Sequence, residues 1–178
     1  MIEVEAKVAV LDADAARKKI SRFGKLAGKV RKIDDYYTLE ETGGYPSRSL
    51  RVRHKGKYFE VNFKRRLSYT GGIHAKKEIE FSTSDIDNFI KLIENFGFRK
   101  WIRKEKECEI YRIKKNFQIE LNKVRGLGWF IEIERLTDEN GIARARKEVS
   151  KILGELGFSE SDCIKEGYTK QLWNKRRK

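Results

Sequence analysis

The chain is poor in several residues on which whole protein classes depend. A single proline, Pro46, and no low-complexity tract in 178 residues leave nothing to divide the chain into linked modules. Two cysteines, Cys108 and Cys163, are too few for a disulfide framework or a cysteine metal cluster, and both are expected as small buried hydrophobes. The two histidines, His54 and His74, stand too far apart for a metal or triad argument. No apolar run approaches the ~20 residues of a membrane-crossing helix. The first residues, Met1 to Glu5, are acidic and lack an apolar leader core. These absences predict a soluble cytoplasmic protein with no membrane partner. What is abundant is charge: 41 Lys and Arg against 27 Asp and Glu give +14. Aromatics reach 11%, so disorder is excluded, and the length suggests one domain over residues 1–178. The excess asks for an anionic partner, but composition does not separate nucleic acid, phosphate ligand and membrane surface.

Hydrophobic periodicity supplies the organisation. Helical spacing appears over residues 12–23, 84–96 and 138–156, where Ile86, Phe89, Ile90, Ile93 and Phe96 mark the middle segment most clearly. Ser84 reads as its N-cap and Gly97 as its stop. Period-two alternation predicts strands near 2–10, 34–40, 48–54, 58–66, 74–82, 101–113, 116–123 and 129–136, with turns at Gly56, Gly71-Gly72, Asn116 and Gly126-x-Gly128. A strand carrying Glu-x-Glu, then a helix, then Gly, occurs three times. The basic end, residues 170–178, reads as a frayed tail.

Successive strand residues point to opposite faces. Glu3, Glu5 and Lys7 share a face, as do Arg51 and Arg53, Glu60, Asn62 and Lys64, Glu78 and Glu80, Lys104 and Lys106, and Glu132 and Glu134. An ordinary solvated sheet face would also alternate in this way. Two features argue otherwise. The helices need the apolar strand faces as a packing surface, so the charged faces must point away from them. The signs are also sorted by strand, Glu pairs on three and Arg or Lys pairs on two, where a merely soluble face would mix them. About eight strands can close into a barrel wide enough for one small ligand. The predicted fold is therefore α+β: an eight-stranded antiparallel β-barrel forming a charged tunnel, with helices packed outside. Clustered cations bind phosphate oxygens, and clustered carboxylates bind hard divalent cations that bridge to phosphates.

These elements, in this order, resemble the CYTH superfamily, the triphosphate tunnel metalloenzymes. Glu3-Val4-Glu5-Ala6-Lys7 is similar to its opening Glu-x-Glu-x-Lys signature, Asp35-Tyr36-Tyr37 to its second strand, and Leu50-Arg51-Val52-Arg53 with Lys64 to its basic strands. Glu78-Ile79-Glu80, Lys104-x-Lys106 and Gly126-Leu127-Gly128-Trp129-Phe130-Ile131-Glu132-Ile133-Glu134 follow, and Tyr168 resembles the family's late tyrosine. Two positions depart. Lys106 stands where many relatives have Arg and loses the bidentate fork. Asn122 stands where relatives often have Asp and carries no charge.

The resemblance implies Mg²⁺ or Mn²⁺ held by Glu3, Glu5, Glu132 and Glu134. It implies a phosphate chain against Lys7, Arg51, Arg53, Lys64, Lys104 and Lys106. Lys7, Glu78 and Glu80 are implied as catalytic groups, the two glutamates holding water or metal from the opposite wall. The implied activity is a metal-dependent triphosphatase in which a metal-activated water attacks the terminal phosphorus of tripolyphosphate, a nucleoside triphosphate or thiamine triphosphate. A class IV adenylyl cyclase would use the same walls, but no segment announces an adenine pocket. A non-catalytic RNA- or polyphosphate-binding module would interleave aromatics with cations, and Tyr36, Tyr37, Tyr58 and Tyr69 are too scattered for that. The expected partner is a small triphosphate rather than nucleic acid. Monomer and homodimer are both open.

Overall fold

The computed structural model describes residues 1–41 and 43–177, with Arg66 described along its backbone alone. Among these residues, eight strands close into an antiparallel barrel in the order β1-β5-β4-β3-β2-β6-β7-β8. The strands are β1 (Ile2–Val10), β2 (Lys25–Thr38), β3 (Leu50–Lys55), β4 (Tyr58–Thr70), β5 (Ile73–Thr83), β6 (Arg99–Lys114), β7 (Phe117–Val124) and β8 (Gly128–Thr137). Four α-helices accompany them: α1 (Ala13–Ile20), α2 (Ile86–Asn95), α3 (Ile142–Glu155) and α4 (Tyr168–Arg176).

On most strands the apolar half of the alternation faces outward, against the helices, although Ile79 of β5 and Val30 of β2 stay exposed. Val4, Ala6 and Val8 of β1, Ile119 and Leu121 of β7, and Ile131 and Ile133 of β8 pack under Ala16 and Ile20 of α1 and Val149, Ile152 and Leu153 of α3. These strand residues are at most 1% exposed, and each buried Val, Leu or Ile contributes about 1.5–3 kcal/mol. A second cluster sets Ile93 of α2 on Tyr37, Val52 and Val61. The core is thus a shell between barrel and helices. That placement leaves the barrel interior to the charged faces.

Local chemistry sets the element ends. Gly97 and Gly157 end α2 and α3 at φ 89° and 88°, in the left-handed region where a Cβ is strained. Asn116 turns the β6–β7 hairpin at φ 61°, and Gly71 and Gly72 turn β4 into β5. The cap of α2 is one residue later than expected: Asp85, not Ser84, accepts from the Asn88 N–H.

Two segments differ from the sequence expectation. β2 starts at Lys25 rather than near residue 34. Its first half carries Gly28 and four Lys or Arg, Lys25, Lys29, Arg31 and Lys32, so no alternation marks it. It is a strand because it pairs with β6 from Lys25↔Arg112 onward. The end of the chain is not frayed up to Arg176 but forms α4, while Lys178 lies outside the described residues. Tyr168 packs with Val124 and Phe130, and Trp173 meets Trp101 edge-on at 5.8 Å. Tyr45 Oη and Thr169 Oγ1 share a hydrogen bond of 2.7 Å, and Lys175 Nζ donates to the Gly126 carbonyl. The helix thereby covers one mouth of the barrel.

Candidate active site in the barrel lumen

Antiparallel register brings the charged faces together. On β1, Glu3, Glu5 and Lys7 lie opposite Lys76 and His74 of β5 on one side and Glu134 and Glu132 of β8 on the other. On the far side, Arg51 and Arg53 of β3 lie between Tyr36 and Asp34 of β2 and Asn62 and Glu60 of β4. Lys104 pairs with Asp34 and Lys106 with Lys32. The register therefore brings all twelve expected site residues to the inner face of one barrel.

They are not equivalent there. Glu3, Glu5, Lys7, Arg51, Lys104, Lys106 and Glu132 are buried. Towards the uncovered mouth the Lys64, Glu78 and Glu80 side chains are 28%, 17% and 44% exposed. Glu78 and Glu80 do not join the other carboxylates. Asn62 Nδ2 holds them at 3.3 and 3.2 Å, and Lys64 pairs with Glu78. Burial raises the Glu78 pKa, but the neighbouring Lys64 and Arg51 help to hold it below the usual range.

The opposite wall concentrates acid. Carboxylate oxygens of Glu3, Glu5 and Glu134 lie within 4.8 Å of one another, and so do those of Glu120, Glu132 and Glu134. Cations answer some of them. Lys76 pairs with Glu5, Lys64 Nζ is 2.7 Å from Glu3, and Lys106 Nζ lies 2.8 Å from Glu132 and 3.0 Å from Glu120. Lys7 Nζ is 3.3 Å from Glu132 and 4.1 Å over the Tyr168 ring. Glu134 accepts from Gln118 and, among the described residues, has no cation partner. Burial and the neighbouring Glu120, Glu3 and Glu132 push its pKa up. Burial likewise works against the Glu132 charge, but Lys106 and Lys7 hold its pKa well below the usual range.

A divalent ion fits this donor set. Hard oxygen ligands converge in two groups that share Glu134, and Glu3 Oε1 in the first is buried with no hydrogen-bond partner. Asn122 donates to Glu132 Oε2 at 2.8 Å and so orients a carboxylate.

Several lumen residues were not among the expected ones. Asp34, read as a strand start, is fully buried and bridges Arg53 and Lys104. Glu60 pairs with Arg51 and Lys55. Glu120 accepts from Lys32 and Lys106. Lys76 answers Glu5. Alternation put Glu60 on a face with Asn62 and Lys64, and the same rule extends to Lys76 before Glu78 and to Glu120 between Gln118 and Asn122. Their partners are non-local and carry no sequence signal.

The CYTH domain family model matches residues 1–168. The chain belongs to the CYTH family. CYTH proteins are often triphosphatases or cyclases, and CYTH tunnel enzymes are generally dependent on divalent metals. No curated protein matches the chain. Among solved structures it is similar to the PH1012 protein of Pyrococcus horikoshii OT3, at 26% identity and TM-score 0.79 over 94% of this chain and 98% of that one. HpAC1 from Hippeastrum, for which a dominant triphosphatase activity is described, shares the fold at 17% identity and TM-score 0.68, over 98% and 96%. A candidate adenylate cyclase from Vibrio parahaemolyticus does so at 22% and 0.76, over 97% and 98%. Among the described residues, no helix of this CYTH chain is long and apolar enough to cross a membrane.

Proposed function

We propose that this CYTH protein is a divalent-metal-dependent triphosphatase that releases orthophosphate from the end of a triphosphate chain. The observation that carries the reading is the sorted lumen. Glu3 and Glu5 converge with Glu134, and Glu132 with Glu120 and Glu134; Lys7, Lys64 and Lys106 reach these carboxylates, while Lys104 and Arg51 stand on the far strands. Such walls complement a metal-complexed polyphosphate and leave little room for an uncharged substrate.

Mg²⁺ or Mn²⁺ held by Glu3, Glu5, Glu132 and Glu134 would neutralise phosphate charge and lower the pKa of a water. The remaining work falls to the chain. The lysines and Arg51 grip non-bridging phosphate oxygens and spread the charge that builds on them during transfer. Lys7, between Glu132 and the Tyr168 ring, is placed to steady the charge at the covered end. Glu78 and Glu80, which both accept from Asn62 near the open mouth, orient water there. Asn122 keeps Glu132 in position.

The test is turnover of tripolyphosphate, ATP and thiamine triphosphate with Mg²⁺ or Mn²⁺, with every product identified. The expected result is orthophosphate, only with metal. Cyclic AMP and pyrophosphate from ATP would move the assignment to the cyclase. No turnover of any substrate with either metal would leave a polyphosphate binder. Calcium, with its looser coordination, is expected to activate poorly.

A further inference from the structure

Tyr168, the first residue of α4, is a buried aromatic side chain among cations. Lys7 Nζ lies 4.1 Å from its ring centroid, and the Nζ atoms of Lys104 and Lys106 lie at 5.7 and 5.9 Å. The attraction of a cation to an aromatic face reaches about 6 Å and strengthens where water is excluded. Lys7 is therefore the close contact, and the other two stand at the limit. The three lysines come from β1 and β6, which are not neighbours in the barrel. The ring joins cations that the sheet itself does not pair.

The backbone fixes the place of the ring. Cys163 forms a β-bridge with Val8, and the Ile164 N–H donates to the Lys7 carbonyl at 2.8 Å. The chain leading into α4 is thus tied to β1 at Lys7 itself. Val124 and Phe130 pack against the Tyr168 side chain, the Phe130 ring edge-on at 4.8 Å. The Tyr168 hydroxyl is buried without a hydrogen-bond partner, so the ring makes the contacts that hold the side chain.

Each lysine also has a carboxylate. Lys7 is 3.3 Å from Glu132, Lys104 is 2.9 Å from Asp34, and Lys106 is 2.8 Å from Glu132 and 3.0 Å from Glu120. A further carboxylate in place of the ring would gather the lysines too, but it would repel an incoming phosphate. A tyrosine is neutral at pH 7. Its ring attracts the ammonium groups and leaves their charge available to an anion.

We infer that Tyr168 is a positioning residue: its neutral ring holds Lys7, with Lys104 and Lys106, in place for a phosphate group at the covered end of the lumen. This rests on the triphosphate reading above and adds a residue that acts through the lysines.

The experiment measures tripolyphosphate affinity by titration calorimetry with Mg²⁺ for the wild type, Tyr168→Phe, Tyr168→Leu and a variant carrying pentafluorophenylalanine at this position. Mn²⁺ binding without substrate and a thermal melt accompany each. Phe keeps the ring and is expected to bind within about twofold of the wild type, because the lost hydroxyl has no partner. Fluorination keeps the ring shape and removes its negative face, so the fluorinated variant is expected to bind tripolyphosphate about tenfold more weakly than Tyr168→Phe. Its Mn²⁺ affinity and melting temperature should match those of Tyr168→Phe. Leu is expected to lose at least as much tripolyphosphate affinity as the fluorinated variant. If Tyr168→Leu does not fold, the two ring variants decide alone, since they share one shape. Equal tripolyphosphate affinity in these two would reduce the ring to packing and overturn the inference. A loss in Tyr168→Phe as large as in the fluorinated variant would assign the effect to the hydroxyl and also overturn it. So would a parallel loss of Mn²⁺ binding, which marks a general disturbance of the lumen. A wild type that binds no tripolyphosphate refutes the triphosphate reading itself, and the two failures are therefore distinct.

Discussion

The two walls of the lumen are built on opposite principles. The cationic wall carries its own acids. Asp34 and Glu60 brace Arg53, Lys104, Arg51 and Lys55, two carboxylates against four cations, so this wall is fixed in place and keeps a positive excess. On the acidic wall Glu3, Glu5, Glu120 and Glu132 each pair with a lysine. Its carboxylates crowd to within 4.8 Å in two groups of three that share Glu134, which has no cation partner among the described residues. A braced excess of cations is a template for an anion, while a carboxylate left unpaired among others is where a cation would bind. The comparison teaches that burial of charge has two meanings here: structural on one side, ligand-seeking on the other.

The largest effect should come from breaking the acidic wall. Glu132→Gln or Glu5→Gln is expected to reduce metal-dependent turnover by more than about a hundredfold, with the circular dichroism spectrum unchanged. Full activity in both variants would place the catalytic carboxylates elsewhere. Breaking the cationic wall should instead damage the fold. Asp34→Ala strands Arg53 and Lys104 in the lumen, and urea unfolding is expected to show a loss of about 3–5 kcal/mol. An unaffected midpoint would mean that this wall is not braced as described.

The smallest effect concerns acid stability, outside the lumen. Burial raises the Asp35 pKa, but Arg103 and Lys100 outweigh it and bring the group down to about 2. Its folded pKa lies below the unfolded value, so the stability it contributes is present above about pH 4 and is lost as pH falls towards about 2. Asp35→Asn should therefore flatten the stability curve between these limits and leave metal binding at neutral pH intact. An unchanged acid limb would assign acid unfolding to other carboxylates, such as Asp34.

Much of this was legible in the chain. Alternation on β1, β3, β5 and β8 placed Glu3, Glu5, Arg51, Arg53, Glu78, Glu80, Glu132 and Glu134 on one side, because period two is a local property. Helical spacing located α1 to α3 for the same reason. The first half of β2 was not legible, since Lys25 to Lys32 form a strand through partners on β6 rather than through their own pattern. Nor was α4, whose Lys and Arg residues hide a short helix that is anchored by Tyr168, Trp173 and Lys175. The role of Asp34 was hidden most deeply. Nothing near residue 34 says that Arg53 and Lys104 converge on it, because cross-strand register decides that.

A divalent cation is expected to complete the acidic wall. The most direct measurement is a Mn²⁺ titration of the wild type and Glu132→Gln, followed by electron paramagnetic resonance in the absence of substrate. Saturable binding is expected in the wild type, weakened in the variant by more than about a hundredfold. Equal Mn²⁺ binding by both proteins, or none by the wild type, would contradict it.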